Sequence, residues 1–142
     1  MGTRSLTVIR EDGKDLLIMY RQYDGYPSGM GEELKTEFGE TQMVNGISDH
    51  TAKIANGLGC LGAQIVAHFK TKPGNVYLHS EVGDGLGAEF IYYLSEKAGE
   101  VWLDLTEGEM TMFGLPGTKP EKMECLYSGP LGKFNSEVLE EG

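Results

Sequence analysis

The stretch Tyr20–Leu34 concentrates the side chains of this chain that could bind a small charged molecule. Its tyrosines offer faces for stacking, and Arg21 offers a planar cationic fork that suits phosphate. Ser28-Gly29-Met30-Gly31 follows at an expected helix start, where backbone N–H groups favour an anion. These groups suit the base, ribose and phosphate of a nucleotide. The alternative is a loop that only packs, with Arg21 paired to Asp24 or Glu32.

Arg4 is expected to assist Arg21 from the neighbouring strand. If the first hairpin has a two-residue turn, Arg4 lies opposite Arg21 and the pair forms a small positive patch. Arg4 and Arg10 are six residues apart on one strand, so they share a face. The alternative is that these arginines are solvated or salt-bridged. The candidate ligand-binding residues are Arg4, Arg21, Tyr23, Asp24, Tyr26, Ser28 and Gly29.

The charge of the chain favours a small partner over a polymer. A formal net charge of −10 argues against nucleic-acid polymers and anionic membranes. Residues 1–80 carry nine acids and eight bases, whereas residues 81–142 carry thirteen acids and four bases. All the arginines lie within the first 21 residues. A small anion is therefore expected to bind in the first half.

Signals for catalysis and for metal binding are weak. No GxSxG or HExxH motif occurs, and the adjacent Glu32 and Glu33 do not face each other on a helix. Cys60 and Cys125 lack ligand spacing with each other or with a histidine, so we predict no metal and no cofactor. The absence of a signal peptide or long apolar span predicts a cytoplasmic protein with reduced thiols. Whether it is an enzyme stays open, with the balance toward a non-catalytic protein.

Gly57-Leu58-Gly59-Cys60-Leu61-Gly62 matches the GxGxxG pattern of dinucleotide-binding proteins. That fingerprint requires a preceding buried strand, but residues 52–56 have helical spacing. We therefore interpret the glycines as small residues of a helix over residues 51–69. A sheet, a second subunit or a ligand is expected to approach this helix closely.

The remaining patterns predict one α+β domain over residues 1–142. An Asp-Gly turn joins strands Thr3–Arg10 and Asp15–Gln22 in an N-terminal β-hairpin. A short helix is expected from about Gly29, capped by Ser28, to Phe38. Further strands are predicted at Asn75–His79, Glu89–Ser95, Val101–Thr106, Glu109–Phe113 and Met123–Tyr127. Residues 135–142 are expected to fray.

The element order predicts a mostly antiparallel sheet with two helices packed on one face. The other face of such a sheet then needs cover. Pairing of two sheets, or of two glycine-rich helix surfaces, would supply it. We therefore expect a homodimer or a higher homo-oligomer.

Three phrases of the sequence carry a resemblance to a known family. Thr3–Val8, Tyr20–Gly29 and Asn56–Gln64 resemble an uncharacterised family of small bacterial and phage proteins. The resemblance covers roughly residues 3–80 and brings no assigned chemistry. Its phage context implies an antagonist of host defence, of the kind that sequesters a cyclic-nucleotide or ADP-ribose-type immune signal.

Three function hypotheses follow from these patterns. The first is a non-catalytic binding protein that captures a small nucleotide-like anion. The second is a protein–protein inhibitor or assembly factor that acts through the acidic β-rich half. The third is a small nucleotide hydrolase.

Overall fold

The computed structural model describes residues 2–46, 53–83, 85–109 and 118–141. In chain order its strands are β1 (Ser5–Glu11), β2 (Lys14–Arg21), β3 (Gln42–Val44), β4 (Ile54–Asn56), β5 (Val76–His79), β6 (Phe90–Lys97), β7 (Glu100–Glu107) and β8 (Glu124–Pro130). The helices are α1 (Glu32–Phe38), α2 (Gly57–Phe69) and α3 (Ser136–Glu141). The predicted α+β class is confirmed.

The described strands form one mixed, mostly antiparallel sheet in the order β4-β3-β7-β6-β1-β2-β5, with β8 pairing β7. The pairs β1–β6 and β3–β4 are parallel, and the other pairs are antiparallel. From Ser5 to Ile9, β1 is buried on both faces, because it lies in the middle of the sheet. The predicted N-terminal hairpin is therefore central, as expected.

Two tight turns explain the two hairpins. Asp12 and Gly13 have φ angles of 51° and 79°, and Ala98 and Gly99 have 53° and 78°. Positive φ at both central residues is the type I′ geometry, whose twist matches that of the paired strands. Both predicted hairpins, β1–β2 and β6–β7, are confirmed.

A β-bulge interrupts the first hairpin at Leu16. The register runs Arg10 opposite Asp15 and then Ile9 opposite Leu17, so that Leu16 is the extra residue. Arg21 consequently lies opposite Ser5. The predicted pairing of Arg4 with Arg21 is wrong by one residue. Because alternate residues of a strand face opposite ways, the two arginines lie on opposite faces of the sheet.

The core is divided by the sheet into two parts. On the helix face, α1 and α2 pack on the sheet over the larger cluster, which includes Ile9, Met19, Leu34, Leu61, Ile65 and Tyr92. On the second face lies a smaller cluster of Leu6, Val8, Ile18, Ala88 and Ile91, with Val82 and Met123 packed against it. The chain itself therefore covers the centre of the second face, where we expected a partner to be needed.

The principal helix starts later than predicted. Ile54–Asn56 form strand β4, which pairs in parallel with β3, and α2 begins at Gly57. Gly57 has a φ of +83°, which lets the chain turn directly from strand into helix. The GxGxxG pattern thus does follow a strand, although one of three residues at the sheet edge. Residues 51 and 52 lie outside the described residues.

Within α2 the predicted apolar stripe is confirmed, since Leu58, Leu61, Ile65 and Phe69 are buried. The predicted fraying of residues 135–142 is wrong for Ser136–Glu141, which form α3. The Ser136 N–H donates to Glu32 Oε2 at 2.8 Å and ties α3 to α1. Of the predicted strand Glu109–Phe113, residues 110–113 lie outside the described residues.

Two glycines of α2 allow a matched test of this helix start. Gly59 lies within the helix, and a Cβ added there would meet open space, so we expect Gly59→Ala to raise the free energy of unfolding by about 1 kcal/mol. Gly57→Ala forces an alanine into the left-handed region and is expected to lower it by about 1–2 kcal/mol. Urea unfolding in dilute solution measures both. Equal effects of the two substitutions would contradict the assigned helix start.

Candidate ligand-binding site

Arg21 lies on the helix face, where its guanidinium is bonded within the molecule. Its Nη1 is 3.4 Å from Glu33 Oε1 and 3.2 Å from Met30 Sδ. The guanidinium carbon is 5.2 Å from the centre of the Phe69 ring, and only 13% of the side chain is exposed. The partner is Glu33, where the sequence suggested Asp24 or Glu32. Arg21 is therefore poorly placed to meet a ligand.

Glu33 also holds His68, so that β2, α1 and α2 meet in one polar cluster. His68 Nε2 is 2.8 Å from Glu33 Oε2, and His68 Nδ1 is 4.0 Å from Glu37 Oε2. The His68 ring packs edge-on against Phe38 and Phe69. The two carboxylates approach different nitrogens of the imidazole and do not converge on one point. Across the described residues no group of three or more potential ligands could hold a metal ion.

The backbone N–H groups predicted to bind an anion are bonded internally. Pro27–Gly31 form a π-helical turn that runs directly into α1, so that the helix begins before the predicted Gly29. The Gly29 N–H donates to Tyr26 O at 2.9 Å, and the Met30 N–H donates to Asp24 O and Tyr26 O at 3.0 and 2.9 Å. The exposed Ser28 makes no capping bond. The N–H groups of Gly29 and Met30 are therefore not free to bind an anion as predicted.

Tyr92 of β6 anchors the same segment to the sheet. Its side chain is fully buried, and its hydroxyl donates to Gly25 O at 2.7 Å across 67 positions of sequence. Burial raises the pKa of Tyr92 far above its ordinary value, against a smaller lowering by a hydrogen bond to the Gly31 backbone and by Arg21. The hydroxyl is thus a neutral donor that fixes the loop before Pro27.

The remaining predicted residues lie on the exposed side of this loop. The Tyr23 ring is half exposed and packs beside Gly2, while its backbone N–H donates to Asn75 Oδ1 at 3.1 Å. The Tyr26 hydroxyl donates to Asp24 Oδ1 at 3.3 Å. Asp24 has a positive φ of 62°. These side chains do not converge with Arg21.

A different set of residues converges on the second face of the sheet. Tyr20 of β2 pairs with Tyr77 of β5, and their ring centres are 6.2 Å apart. The His79 ring stands edge-on to Tyr20 at 5.9 Å, and 47% of Tyr77 is exposed. Arg4 comes two residues before Leu6, the strand partner of Tyr20, and its charge acts on Tyr20. We call Arg4, Tyr20, Tyr77 and His79 the tyrosine patch.

Arg4 is the cation of the tyrosine patch. Among the described residues no carboxylate oxygen lies within 4 Å of its guanidinium, in contrast to Arg10, whose Nε is 2.7 Å from Asp15 Oδ1. Gly87 leaves room for the guanidinium, since a Cβ there would lie 3.2 Å from Arg4 Nη1. Burial raises the pKa of Tyr20, and the charge of Arg4 opposes that rise.

Sequence reasoning missed Tyr77 and His79 as site residues. They alternate along the predicted strand Asn75–His79, which indicates that they share a face. The pairing of β5 with β2, which brings them beside Tyr20, has no local signal. Of the predicted arginines, Arg4 thus belongs to the tyrosine patch, whereas Arg21 lies on the other face of the sheet.

Glu89 lies near Arg4 at the start of β6. Its backbone N–H donates to Arg4 O at 3.0 Å, but its carboxylate makes no ion pair within 4 Å among the described residues. Burial and, after it, the charge of Glu107 raise the pKa of Glu89 above its ordinary value. The guanidinium of Arg4 is therefore not paired with the carboxylate of Glu89.

An apolar groove lies on the helix face, between α2 and the strands β1, β2 and β5. It has a volume of about 450 Å³. Its α2 side includes Gly59, Ala63 and Ala67, and its strand side includes Leu16 and Leu78. These leucines are 48% and 58% exposed. The groove is a second candidate for binding.

Comparisons of the chain with protein-family models, curated protein sequences and solved structures find no match. In the part of the chain that the structure describes, no helix has the length and apolar character needed to cross a membrane. The function must therefore be inferred from the geometry of these surfaces.

The Tyr92 anchor predicts a specific loss of stability. Tyr92→Phe leaves the buried carbonyl of Gly25 without its donor, so we expect the free energy of unfolding to fall by about 1–3 kcal/mol. Tyr26→Phe removes an exposed hydroxyl bond and should change it by less than about 0.5 kcal/mol. Urea unfolding compares the two variants. Similar losses in both would contradict the anchoring role.

The raised pKa of Glu89 predicts that replacing its carboxylate stabilises the fold in a pH-dependent way. A neutral Glu89 favours the folded state, and this contribution is complete below about pH 4 and is lost as the pH rises through the raised pKa. Glu89→Gln should therefore raise Tm at pH 7 and leave it nearly unchanged at pH 3.5. The exposed Glu81→Gln serves as the control. Equal gains at both pH values would argue against a raised pKa.

Proposed function

We propose that this protein is a non-catalytic binding protein for a small nucleotide-like anion, and that the ligand binds at the tyrosine patch. One observation carries the proposal: the Arg4 guanidinium has no carboxylate partner within 4 Å among the described residues and lies near enough to Tyr20, which packs on Tyr77, for its charge to lower the pKa of Tyr20. In a chain of net charge −10, a guanidinium without a carboxylate partner in the described part of the chain is a suitable place for an anion to bind.

The rings and cations match the two chemical halves of a nucleotide. The exposed Tyr77 and His79 rings can stack on a base, which contributes about 1–3 kcal/mol per base. Arg4 can bind a phosphate through paired, charge-assisted hydrogen bonds. A second cation, Lys70, has its Nζ 5.4 Å from the centre of the Tyr77 ring. The tyrosine patch therefore combines a stacking surface with positive charge nearby.

In the proposed site the main cation for the ligand is Arg4 and not Arg21. Arg21 is held by Glu33 and Met30, and a ligand phosphate there would have to displace Glu33. Tyr23 remains close enough to the tyrosine patch that its phenol, when ionised, would raise the pKa of Tyr20. Arg4 and Tyr23 are thus the predicted residues that belong to the proposed site.

The family resemblance suggests a biological use for such a site. If the chain is a phage protein, capture of a cyclic-nucleotide or ADP-ribose-type signal would blunt a host defence that depends on that signal. Capture needs tight binding and no turnover, which agrees with a site built from rings and one guanidinium. The high negative charge would also keep the protein away from nucleic-acid polymers.

Thermal unfolding with a panel of probes tests the proposal. The probes are AMP, ADP-ribose, a cyclic dinucleotide, adenosine and inorganic phosphate. At one hundred times its Kd a ligand adds about 2.7 kcal/mol of stability, which raises Tm by several degrees. We expect such a shift for at least one nucleotide, and a smaller one for adenosine or phosphate alone.

Two arginine variants identify the site. Arg4→Gln should weaken binding of the responding nucleotide at least tenfold by titration calorimetry, because it removes a charged hydrogen-bond donor. Arg10→Gln is the matched control, since Arg10 lies on the same strand and is already paired with Asp15. No shift with any nucleotide, or equal losses in the two variants, would contradict the proposal.

A further inference from the structure

We propose that the apolar groove between α2 and the strands β1, β2 and β5 is the interface through which two copies of this chain form a dimer. The inference is independent of the tyrosine patch, which lies on the other face of the sheet. It gives the expected homodimer a defined surface, made by α2 and the neighbouring strands. Of the ten residues that line this groove, the ones that shape it are Leu16, Leu17, Gly59, Ala63, Ala67 and Leu78.

The β-bulge contributes directly to this surface. Leu16 and Leu17 follow each other in sequence, and consecutive residues of a regular strand face opposite ways. Because Leu16 is the bulged residue, both leucines line the groove. Leu16 is 48% exposed and Leu78 is 58% exposed, so two large aliphatic side chains stand at its strand side.

The helix side of the groove is shaped to receive such side chains. The space beside Gly62 is occupied by side chains of the same molecule, since a Cβ there would lie 3.1 Å from Leu17 Cδ2 and 3.4 Å from Ile9 Cγ1. A Cβ at Gly59 would meet no atom within 4 Å, and Ala63 and Ala67 are exposed. The small residues near Gly59 therefore leave an opening that no described residue of the monomer fills.

Charge selects a second copy as the occupant. All ten lining residues are uncharged, and α2 contains no Asp, Glu, Lys or Arg. Two molecules of net charge −10 repel each other, so they can associate best where no charged side chains are brought together. A different partner that complements this protein electrostatically would carry positive charge and would gain nothing from an uncharged groove.

A two-fold axis through the groove satisfies both of its sides. In such a dimer the same patch is used twice, so a projecting group of one copy must meet an opening of the other. Leu16 and Leu78 of each copy would enter the small-residue side of its partner, between Gly59 and Ala67. The patch is thus self-complementary.

The size of the surface sets the expected strength. Thirteen residues make α2 about 20 Å long, and with a helix diameter of about 10 Å its face presents roughly 200 Å². A stable interface uses about 800 Å² from each partner. We therefore expect a weak dimer, with a dissociation constant in the micromolar range or above.

Sedimentation velocity over a concentration series from about 5 μM to 1 mM tests the inference on the full chain. The wild type should shift from monomer to dimer across this range. Leu78→Glu places a charge on the exposed strand side and should raise the dissociation constant at least tenfold. Val138→Glu is the matched control, since Val138 is 64% exposed on α3 and should leave association unchanged.

A second variant excludes a folding artefact. Ala63→Glu introduces the charge on the exposed opposite side of the groove and should weaken the dimer as Leu78→Glu does, with unchanged circular dichroism. A wild type that stays monomeric at 1 mM would overturn the inference. So would a dimer that persists in both variants. A monomer that binds an apolar dye, and loses that binding in Ala63→Glu, would instead assign the groove to an apolar small molecule.

Discussion

The single extra residue at Leu16 determines how the two candidate surfaces are arranged. Without the bulge, Arg4 and Arg21 would face each other across the first hairpin and share one side of the sheet. With it, Arg21 turns toward the helices and is neutralised by Glu33, whereas Arg4 stays beside Tyr20. The same shift places Leu16 next to Leu17 in the apolar groove. The bulge at Leu16 thus places Arg4 with the tyrosine patch on one face of the sheet and the apolar groove on the other.

The segment Tyr20–Leu34 owes its unusual composition mainly to the way it is held in place. Tyr92 fixes Gly25 from below, the π-helical turn bonds its own N–H groups, and Glu33 joins Arg21 to His68. Aromatic, cationic and glycine residues in one loop therefore serve mainly to hold the loop in place. A ligand-binding loop requires the same residue types, which is why the two uses look alike in a sequence.

Local patterns predicted most of the fold. The Asp12-Gly13 and Ala98-Gly99 turns and the apolar stripe of α2 each depend on residues close in sequence. The start of α2 was predicted wrongly because Ile54–Asn56 fit helical spacing and strand pairing equally well. The pairing partner, β3, lies a dozen residues away and decides between them.

The candidate site was predicted less well, because its geometry depends on register and on long-range pairing. Nothing near Arg4 in sequence indicates that a bulge a dozen residues away turns Arg21 to the other face. Likewise, Tyr77 joins Tyr20 through a strand pairing across more than fifty residues. Residue types were therefore informative about chemistry, and the pairing of strands determined which of them meet.

Lys70 has a consequence for how copies of this molecule can meet. The bond from the Gln22 N–H to Asn75 O turns the carbonyl of Val76 away from β2, toward the outer edge of the sheet, where the Lys70 ammonium binds it at 2.8 Å. An incoming strand would have to displace that ammonium before it could continue the ladder. The ammonium thus covers one outward carbonyl of this edge strand and makes addition of another strand there less favourable.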